Sequence, residues 1–253
     1  METRRSSVDE ADIEKFERLG ADWWDPHGPM RPLHKLNPVR VAFVRDELAR
    51  HFPATDGSRR DIRARRPLAG LSIVEIGCGG GILCEPLARL GAQMVGIDPA
   101  AGNIDIARRH AEAADLAIDY RATTAEDLTA LGTQFDAVLA MEVVEHVIDM
   151  PGFVKTVGSL VRPGGLLFAA TLNRTLKSFA LAIVGAEYVL GWLPKGTHQW
   201  EKFVTPGELA EAMGAADIEV VRRAGVTYRP LIDEWRLSTD TAVNYMAVGE
   251  RRT

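Results

Sequence analysis

Cysteine is scarce in this 253-residue sequence, which contains only Cys78 and Cys84. Small secreted domains that depend on disulfides carry several cysteines at regular spacing. Both cysteines here lie within or beside a glycine-rich stretch, and they provide no such framework. We therefore expect a reduced, cytoplasmic protein.

An excess of positive charge is also missing. The chain has 30 Lys and Arg residues against 35 Asp and Glu residues, a formal net charge of -5. Proteins that bind nucleic acid usually hold the phosphates with a basic surface. The composition therefore disfavours nucleic acid as substrate or partner.

Long apolar segments are missing as well. Residues 1–10 contain charged side chains and no apolar core of the kind found in a secretory signal, so no signal peptide is expected. The most apolar stretch is Phe179–Leu193, which is shorter than the roughly twenty residues that span a bilayer. Because Lys177 and Lys195 flank it, we expect residues 179–193 to insert into a membrane surface. A lid helix packed on the core is the alternative.

The sequence divides near residue 68. Residues 1–67 predict two helices, a proline-rich loop or lid between them, and an exposed linker. The expected elements are a helix over Asp9–Leu19, the loop over Asp25–Pro38, a helix over Val39–Phe52 and the linker over Ala54–Pro67. Residues 68–253 predict the folded core, with the apolar insertion within residues 174–200.

Short β-branched segments alternate with helical patterns in this core. They are Ser72–Ile76, Met94–Ile97, Ile118–Arg121, Ala137–Ala140 and Leu166–Ala170. Such alternation predicts an α/β, doubly wound, Rossmann-like fold with a mostly parallel sheet. Two later segments, Glu219–Arg222 and Asn244–Val248, have no clear crossover helix between them and predict an antiparallel C-terminal hairpin.

A glycine-rich turn follows the first of these segments. Gly77, Gly79 and Gly81 form a G-x-G-x-G pattern, in which a ligand can approach the backbone closely. Asp98 follows the second segment, about twenty residues later, where a carboxylate can accept hydrogen bonds from both hydroxyls of a ribose. The sixth position is Ile82, whereas a dinucleotide fingerprint has glycine there, which argues against a nicotinamide dehydrogenase. The pattern resembles the first motif of class I methyltransferases, which implies S-adenosylmethionine as cofactor.

The turn after the third segment resembles the one that meets adenine in such enzymes. It runs over Thr124–Leu128 and contains Glu126 and Asp127. By this resemblance, one of the two carboxylates would contact the amino group of the base. An ordinary helix cap is the alternative for either residue.

Three polar residues follow the fourth segment, where open α/β sheets bind ligands. Glu142, Glu145 and His146 stand at positions i, i+3 and i+4, and would share one face of a helix or turn. Together they could hold a divalent ion that lowers the pKa of a phenol from its usual value of about 10. Alternatively, His146 acts alone as a general base, or the carboxylates only complement a helix dipole.

The sequence resembles the ubiquinone-biosynthesis O-methyltransferases over nearly its whole length, from Phe16 to Met246. The segments that carry the resemblance are Ile73–Leu83, Met141–His146, Thr171–Arg174, Val184–Tyr188 and Pro194–His198. The glycine motif is generic, and residues 184–198 are specific to the family. The arginine-rich linker over Ser58–Arg66 is longer than the family needs.

This resemblance implies several properties. Arg40, Gly77, Asp98 and Met141 would be cofactor contacts, and Glu142, Glu145 and His146 would bind magnesium. The substrates would be polyprenylated phenols and ubiquinols, which are methylated on oxygen in two steps. The enzyme would associate with the inner face of the membrane and with other enzymes of ubiquinone biosynthesis. An S-adenosylmethionine-dependent C- or N-methyltransferase, or a non-catalytic binding or scaffold protein, is the alternative.

Overall fold

The computed structural model describes residues 20–179 and 200–253. Their strands form one eight-stranded sheet in the order β3-β2-β1-β4-β5-β8-β6-β7. The strands are β1 (Ser72–Ile76), β2 (Gln93–Asp98), β3 (Asp119–Ala122), β4 (Phe135–Met141), β5 (Val161–Leu172), β6 (Ile218–Arg229), β7 (Glu234–Ser238) and β8 (Asn244–Arg251). All five strands predicted in the core are therefore confirmed, with bounds shifted by a few residues.

Helices flank this sheet and connect its parallel strands. They are α1 (Arg31–His51), α2 (Cys84–Arg89), α3 (Ala101–Ala113), α4 (Ala125–Ala130), α5 (Met150–Ser159), α6 (Leu176–Ser178) and α7 (Pro206–Ala215). Two 3-10 turns cover Gly20–Trp24 and Trp200–Lys202. The predicted helix over Asp9–Leu19 lies outside the described residues, as does most of the apolar insertion.

Parallel pairing joins the first five strands, and antiparallel pairing joins the rest. β1 pairs with β2 and β4, β2 with β3, and β4 with β5, all in parallel. β8 runs antiparallel between β5 and β6, and β6 turns directly into β7. The doubly wound fold is confirmed, and the C-terminal region contains one strand more than the predicted hairpin.

Helix α1 overturns part of the predicted proline-rich loop. Pro32 lies in its first turn, where a missing backbone N–H costs nothing, and Pro38 lies in its interior. Pro38 removes one helical hydrogen bond, but the helix still buries an apolar face that includes Phe43 and Leu48. The loop therefore ends before Arg31, and the helix predicted from Val39 begins eight residues earlier than expected.

The linker before the core is mostly exposed, as expected, but one of its arginines is buried. Arg60 is 8% exposed, and its Nη1 donates hydrogen bonds to the carbonyl oxygens of Pro67 and Ala69, each at 2.9 Å. This side chain ties the linker to the start of the core.

Two apolar layers sandwich the sheet. One layer contains side chains of α1 and α2, and within it Phe43 packs edge-to-face on Phe168 of β5, with ring centroids 6.1 Å apart. The other layer contains side chains of α4, α5 and α7. Because Phe43 and Leu48 are at most 1% exposed, α1 packs as part of the same core as the sheet.

We expect Phe43→Ala to lower the free energy of unfolding by about 3–5 kcal/mol, because truncating a buried phenylalanine leaves a cavity. Denaturant unfolding followed by circular dichroism measures this loss. Leu131→Ala, at a side chain that is 67% exposed, is the control and should change stability by less than about 0.5 kcal/mol. A separate, earlier transition for α1 would instead show that residues up to 67 fold as an independent unit.

Candidate active site

The glycine-rich turn lies at the carboxyl end of β1. Gly77, Gly79 and Gly81 have φ angles of +70°, +51° and +88°, which favour glycine. A Cβ atom on Gly79 would lie 2.3 Å from the ring of Trp23, and one on Gly81 would lie 2.2 Å from the hydroxyl of Tyr120. Both backbone conformation and close packing therefore require glycine in this turn.

Asp98 lies at the carboxyl end of the neighbouring strand β2 and is 8% exposed. Its Oδ2 accepts a hydrogen bond from the amide of Gly79 at 2.9 Å. Its Oδ1 accepts from the amide of Ala100 at 2.9 Å and from Nδ2 of Asn103 at 3.3 Å. The structure thus brings the predicted carboxylate and the predicted glycine turn together.

Arg40 projects from α1 and is 3% exposed. Its Nη2 donates to Oδ1 of Asn37 at 2.8 Å, whereas its buried Nε has no hydrogen-bond partner among the described residues. Burial lowers the pKa of Arg40, and the nearby carboxyl groups of Glu75 and Glu142 oppose this shift. A buried guanidinium with an unused N–H fits the predicted role of binding the carboxylate of a ligand.

Glu75 is a buried acid that the sequence reading did not single out. It precedes the glycine turn in β1, and Sγ of Cys84 donates a hydrogen bond to its Oε2 at 2.9 Å. Burial raises the pKa of Glu75 to about 7, although Cys84 and Arg40 oppose the shift. An acidic residue inside an otherwise apolar strand was the signal in the sequence.

The carboxyl end of β4 carries Met141, which is buried, and then Glu142 in a left-handed conformation with φ of +60°. Residues 142–146 form turns and no helix, so the i, i+3, i+4 spacing does not produce a helical face. Left-handed backbone at a non-glycine residue is strained, and such strain is common at functional sites.

Glu142 and Glu145 nevertheless lie close together. The charge of Glu145 acts on the carboxyl group of Glu142, and the hydroxyl of Thr171 donates to Oε2 of the buried Glu145 at 2.8 Å. Removal of the Glu142 carboxyl from water raises its pKa well above the usual range, and the charge of Glu145 adds to this shift. The amide of His146 donates to the carbonyl of Val143 at 2.9 Å.

The predicted magnesium set is not assembled in the described structure. Within residues 20–179 and 200–253, no group of three or more His, Cys, Asp or Glu side chains is arranged to hold a metal ion. Glu142 and Glu145 form a carboxyl pair, and His146 does not complete it as a third ligand.

Glu126 and Asp127 lie in the first turn of α4. The amide of Asp127 donates to Oγ1 of the capping residue Thr124 at 3.2 Å, and that hydroxyl lies 3.0 Å from Oδ2 of Asp127. Asp127 therefore takes part in a helix cap, which was the alternative. Contact of either residue with adenine stays a prediction.

No motif in the sequence indicates the partners of Trp23 and Trp24. The 3-10 turn Gly20–Trp24, here called the tryptophan cap, places both indoles against the glycine turn. Nε1 of Trp24 donates to the carbonyl of Gly80 at 2.9 Å. Its ring stacks on His110 of α3, with centroids 3.5 Å apart and planes 3° from parallel. Only the tertiary structure identifies these contacts.

The chain matches a protein-family model and full-length relatives. Residues 39–223 match a family model described as a methyltransferase domain. A ubiquinone biosynthesis O-methyltransferase from Methylocella silvestris is 60% identical over 98% of this chain and 96% of the relative. One from Methylobacterium nodulans is 57% identical over 99% of this chain and 98% of the relative.

Solved structures share the fold at low sequence identity. Magnesium protoporphyrin IX methyltransferase from Synechocystis PCC 6803, solved with bound SAH, is 20% identical to this chain with a TM-score of 0.65. The similarity covers 96% of this chain and all of that chain. At this identity the comparison supports the architecture alone.

The buried Glu75 predicts a pH dependence of stability. The carboxyl group of Glu75 loses its proton near pH 4.5 in the unfolded chain and near pH 7 in the folded chain. The stability that the neutral carboxyl group contributes is therefore complete below pH 4.5 and is lost as the pH rises to about 7. Relative to Glu75→Gln, the wild type should lose up to about 3 kcal/mol across this range.

Denaturant unfolding of both proteins between pH 4 and pH 8 measures this difference. Glu234→Gln, which removes the same charge from a side chain 54% exposed, is the control and should keep the wild-type profile. Parallel profiles for wild type and Glu75→Gln would show that Glu75 titrates equally in the folded and unfolded chains.

Proposed function

Since the chain belongs to the ubiquinone biosynthesis O-methyltransferases, which use S-adenosylmethionine, we propose that it methylates phenolic hydroxyls of polyprenylated ubiquinone precursors. The observation that carries the cofactor assignment is the bonding of Asp98 to the glycine turn, near a buried arginine with an unused N–H. The substrate assignment is supported by the full-length relatives.

The site groups match the parts of S-adenosylmethionine. Asp98 would accept hydrogen bonds from the ribose hydroxyls, and Arg40 would bind the methionine carboxylate through charge-assisted hydrogen bonds. Met141, buried at the end of β4, would contact the adenosyl group. Gly77 and Gly79 leave room for the ligand beside the backbone.

The reaction is a direct displacement at the methyl carbon. A phenolic oxygen attacks the carbon in line with the sulfur, so that an O–C bond forms as the S–C bond breaks. The products are an aryl methyl ether, S-adenosylhomocysteine and the proton of the hydroxyl. The enzyme accelerates this step mainly by holding oxygen, carbon and sulfur in line.

A proton acceptor is needed because a neutral phenol is a poor nucleophile. Glu142 and His146, at the carboxyl end of β4, are the candidates for this role. Both lie at the sheet edge where this fold binds its ligands.

We expect the purified protein to transfer a methyl group from S-adenosylmethionine to short-tailed catechol and demethylubiquinol analogues. Mass spectrometry of the product identifies the methylated atom. Glu142→Gln and His146→Asn should retain cofactor binding, measured by calorimetry, and lose turnover. A product methylated on carbon or nitrogen would contradict the proposed function and identify a C- or N-methyltransferase.

A chelator arm of the same assay decides the role of magnesium. Loss of activity with a chelator, restored by added Mg²⁺, would support metal binding by Glu142, Glu145 and His146. Activity that persists without metal would show that these residues act in proton transfer and substrate positioning rather than in metal binding.

Membrane association is a further part of the proposal. No helix within the two described ranges is long and apolar enough to cross a bilayer. A polyprenyl tail would keep the substrate in the membrane. The apolar stretch 179–193 would bring the active site to the inner face of that membrane. Leu176, just before this stretch, and Phe179, its first residue, are 82% and 44% exposed. Association with other ubiquinone-biosynthesis enzymes is proposed from the family alone.

Liposome flotation tests this proposal. The wild type should float with vesicles, and a variant in which Ile183, Val184 and Trp192 are made polar should stay in the soluble fraction, because it loses apolar contact with the lipid. Leu131→Ser, an apolar-to-polar change at an exposed site on α4's C-terminal side, serves as control and should float like the wild type. Equal flotation of the triple variant and the wild type would refute the role of residues 179–193.

A further inference from the structure

The tryptophan cap makes its closest contact at the glycine turn. The indole of Trp23 is 6% exposed and lies against Gly79 and Gly80, where added Cβ atoms would come within 2.3 Å and 2.7 Å of its atoms. Nε2 of His34 lies 2.9 Å from the carbonyl oxygen of Trp23. The cap is therefore held both by packing on the glycine turn and by a polar contact to α1.

A chain of hydrogen bonds leads from this indole to the predicted ribose-binding carboxylate. Nε1 of Trp23 donates to Oδ1 of Asn103 at 2.9 Å. Nδ2 of Asn103 donates in turn to Oδ1 of Asp98 at 3.3 Å. Asn103 lies in the first turn of α3 and is 1% exposed, so water does not compete for these bonds.

The indole and the carboxylate select the same orientation of the Asn103 amide. An indole N–H can only donate, so it requires the amide oxygen of Asn103 on its side. The amide NH₂ group must then face Asp98, where it stabilises the carboxylate. Without the indole N–H, the amide oxygen loses its donor, and the Asn103 side chain is held less firmly against the carboxylate.

Two backbone amides also donate hydrogen bonds to Asp98. They belong to Gly79, in the turn after β1, and to Ala100, the residue before α3. Asn103 differs from these amides because its side chain bonds directly to both Asp98 and the indole of Trp23.

We propose that Trp23 and Asn103 are positioning residues that orient the Asp98 carboxylate toward the cofactor ribose, so that the seating of Trp23 on the glycine turn and ribose recognition are coupled. The proposal rests on the proposed function, because it takes Asp98 as the ribose-binding group. It adds two residues to the cofactor site that do not themselves need to touch the ribose.

Calorimetric binding of S-adenosylhomocysteine and its 2′-deoxy analogue tests this coupling. Wild type should prefer the intact ribose by about tenfold, the effect of one charge-assisted hydrogen bond. In Asn103→Ala this preference should fall to about twofold, because the backbone amides alone hold Asp98 less well. Trp23→Phe keeps an aromatic ring and removes the N–H, and should lower the preference in the same direction.

Trp24→Phe is the matched control. It removes the neighbouring indole N–H, which donates to the carbonyl of Gly80 and is not part of the hydrogen-bonded chain from Trp23 through Asn103 to Asp98, so the preference for the intact ribose should stay close to the wild-type value. The double variant of Trp23→Phe with Asn103→Ala should behave like Asn103→Ala alone, because both changes interrupt one chain.

Two results would overturn the proposal. One is an unchanged preference in Trp23→Phe and Asn103→Ala, and the other is an equal loss in Trp24→Phe. If Asn103→Ala does not fold, the ribose preference of Trp23→Phe compared with that of Trp24→Phe tests the proposal. Failure of the wild type to bind S-adenosylhomocysteine would instead refute the proposed function itself.

Discussion

The hydrogen bond between the Gly79 amide and the Asp98 carboxylate joins the carboxyl ends of β1 and β2, and the rest of the site is arranged around it. Parallel pairing brings these two ends to one edge of the sheet. The left-handed glycines then turn the chain away and leave the amide of Gly79 facing the carboxylate. Strand pairing and glycine conformation together form the edge at which we propose the adenosyl group binds.

Buried charge is the second constraint on this edge. Arg40 on α1 lies near the carboxyl groups of Glu75 and Glu142, which come from the ends of β1 and β4. Burial of an unpaired charge is costly, and mutual proximity offsets part of that cost. The helix that supplies Arg40 also buries Phe43 and Leu48 in the core. Packing of α1 therefore fixes the position of the arginine relative to both acids.

Several local patterns misled because tertiary packing outweighed them. Pro32 and Pro38 suggested a loop, yet the apolar face of α1 gains more from burial than one missing hydrogen bond costs. β7 was missed because it is only five residues long and lies at the sheet edge, although Glu234 and Arg236 alternate with Trp235 and Leu237 as in a strand. Glu142, Glu145 and His146 have helical spacing, but the left-handed φ at Glu142 places them in a turn.

The sequence by itself determined the alternating strands, the glycine turn, Asp98 and the family resemblance, because these depend on local spacing and residue type. Tertiary structure alone decided which groups meet across long stretches of chain. Trp23 reaches Asn103 across 80 residues, and Thr171 reaches Glu145 across 26. Such contacts depend on how helices dock on the sheet, and this information is spread over the whole core rather than contained in any motif. For that reason the cofactor class was readable from Gly77–Gly81 and Asp98, whereas the contacts that orient Asp98 were not.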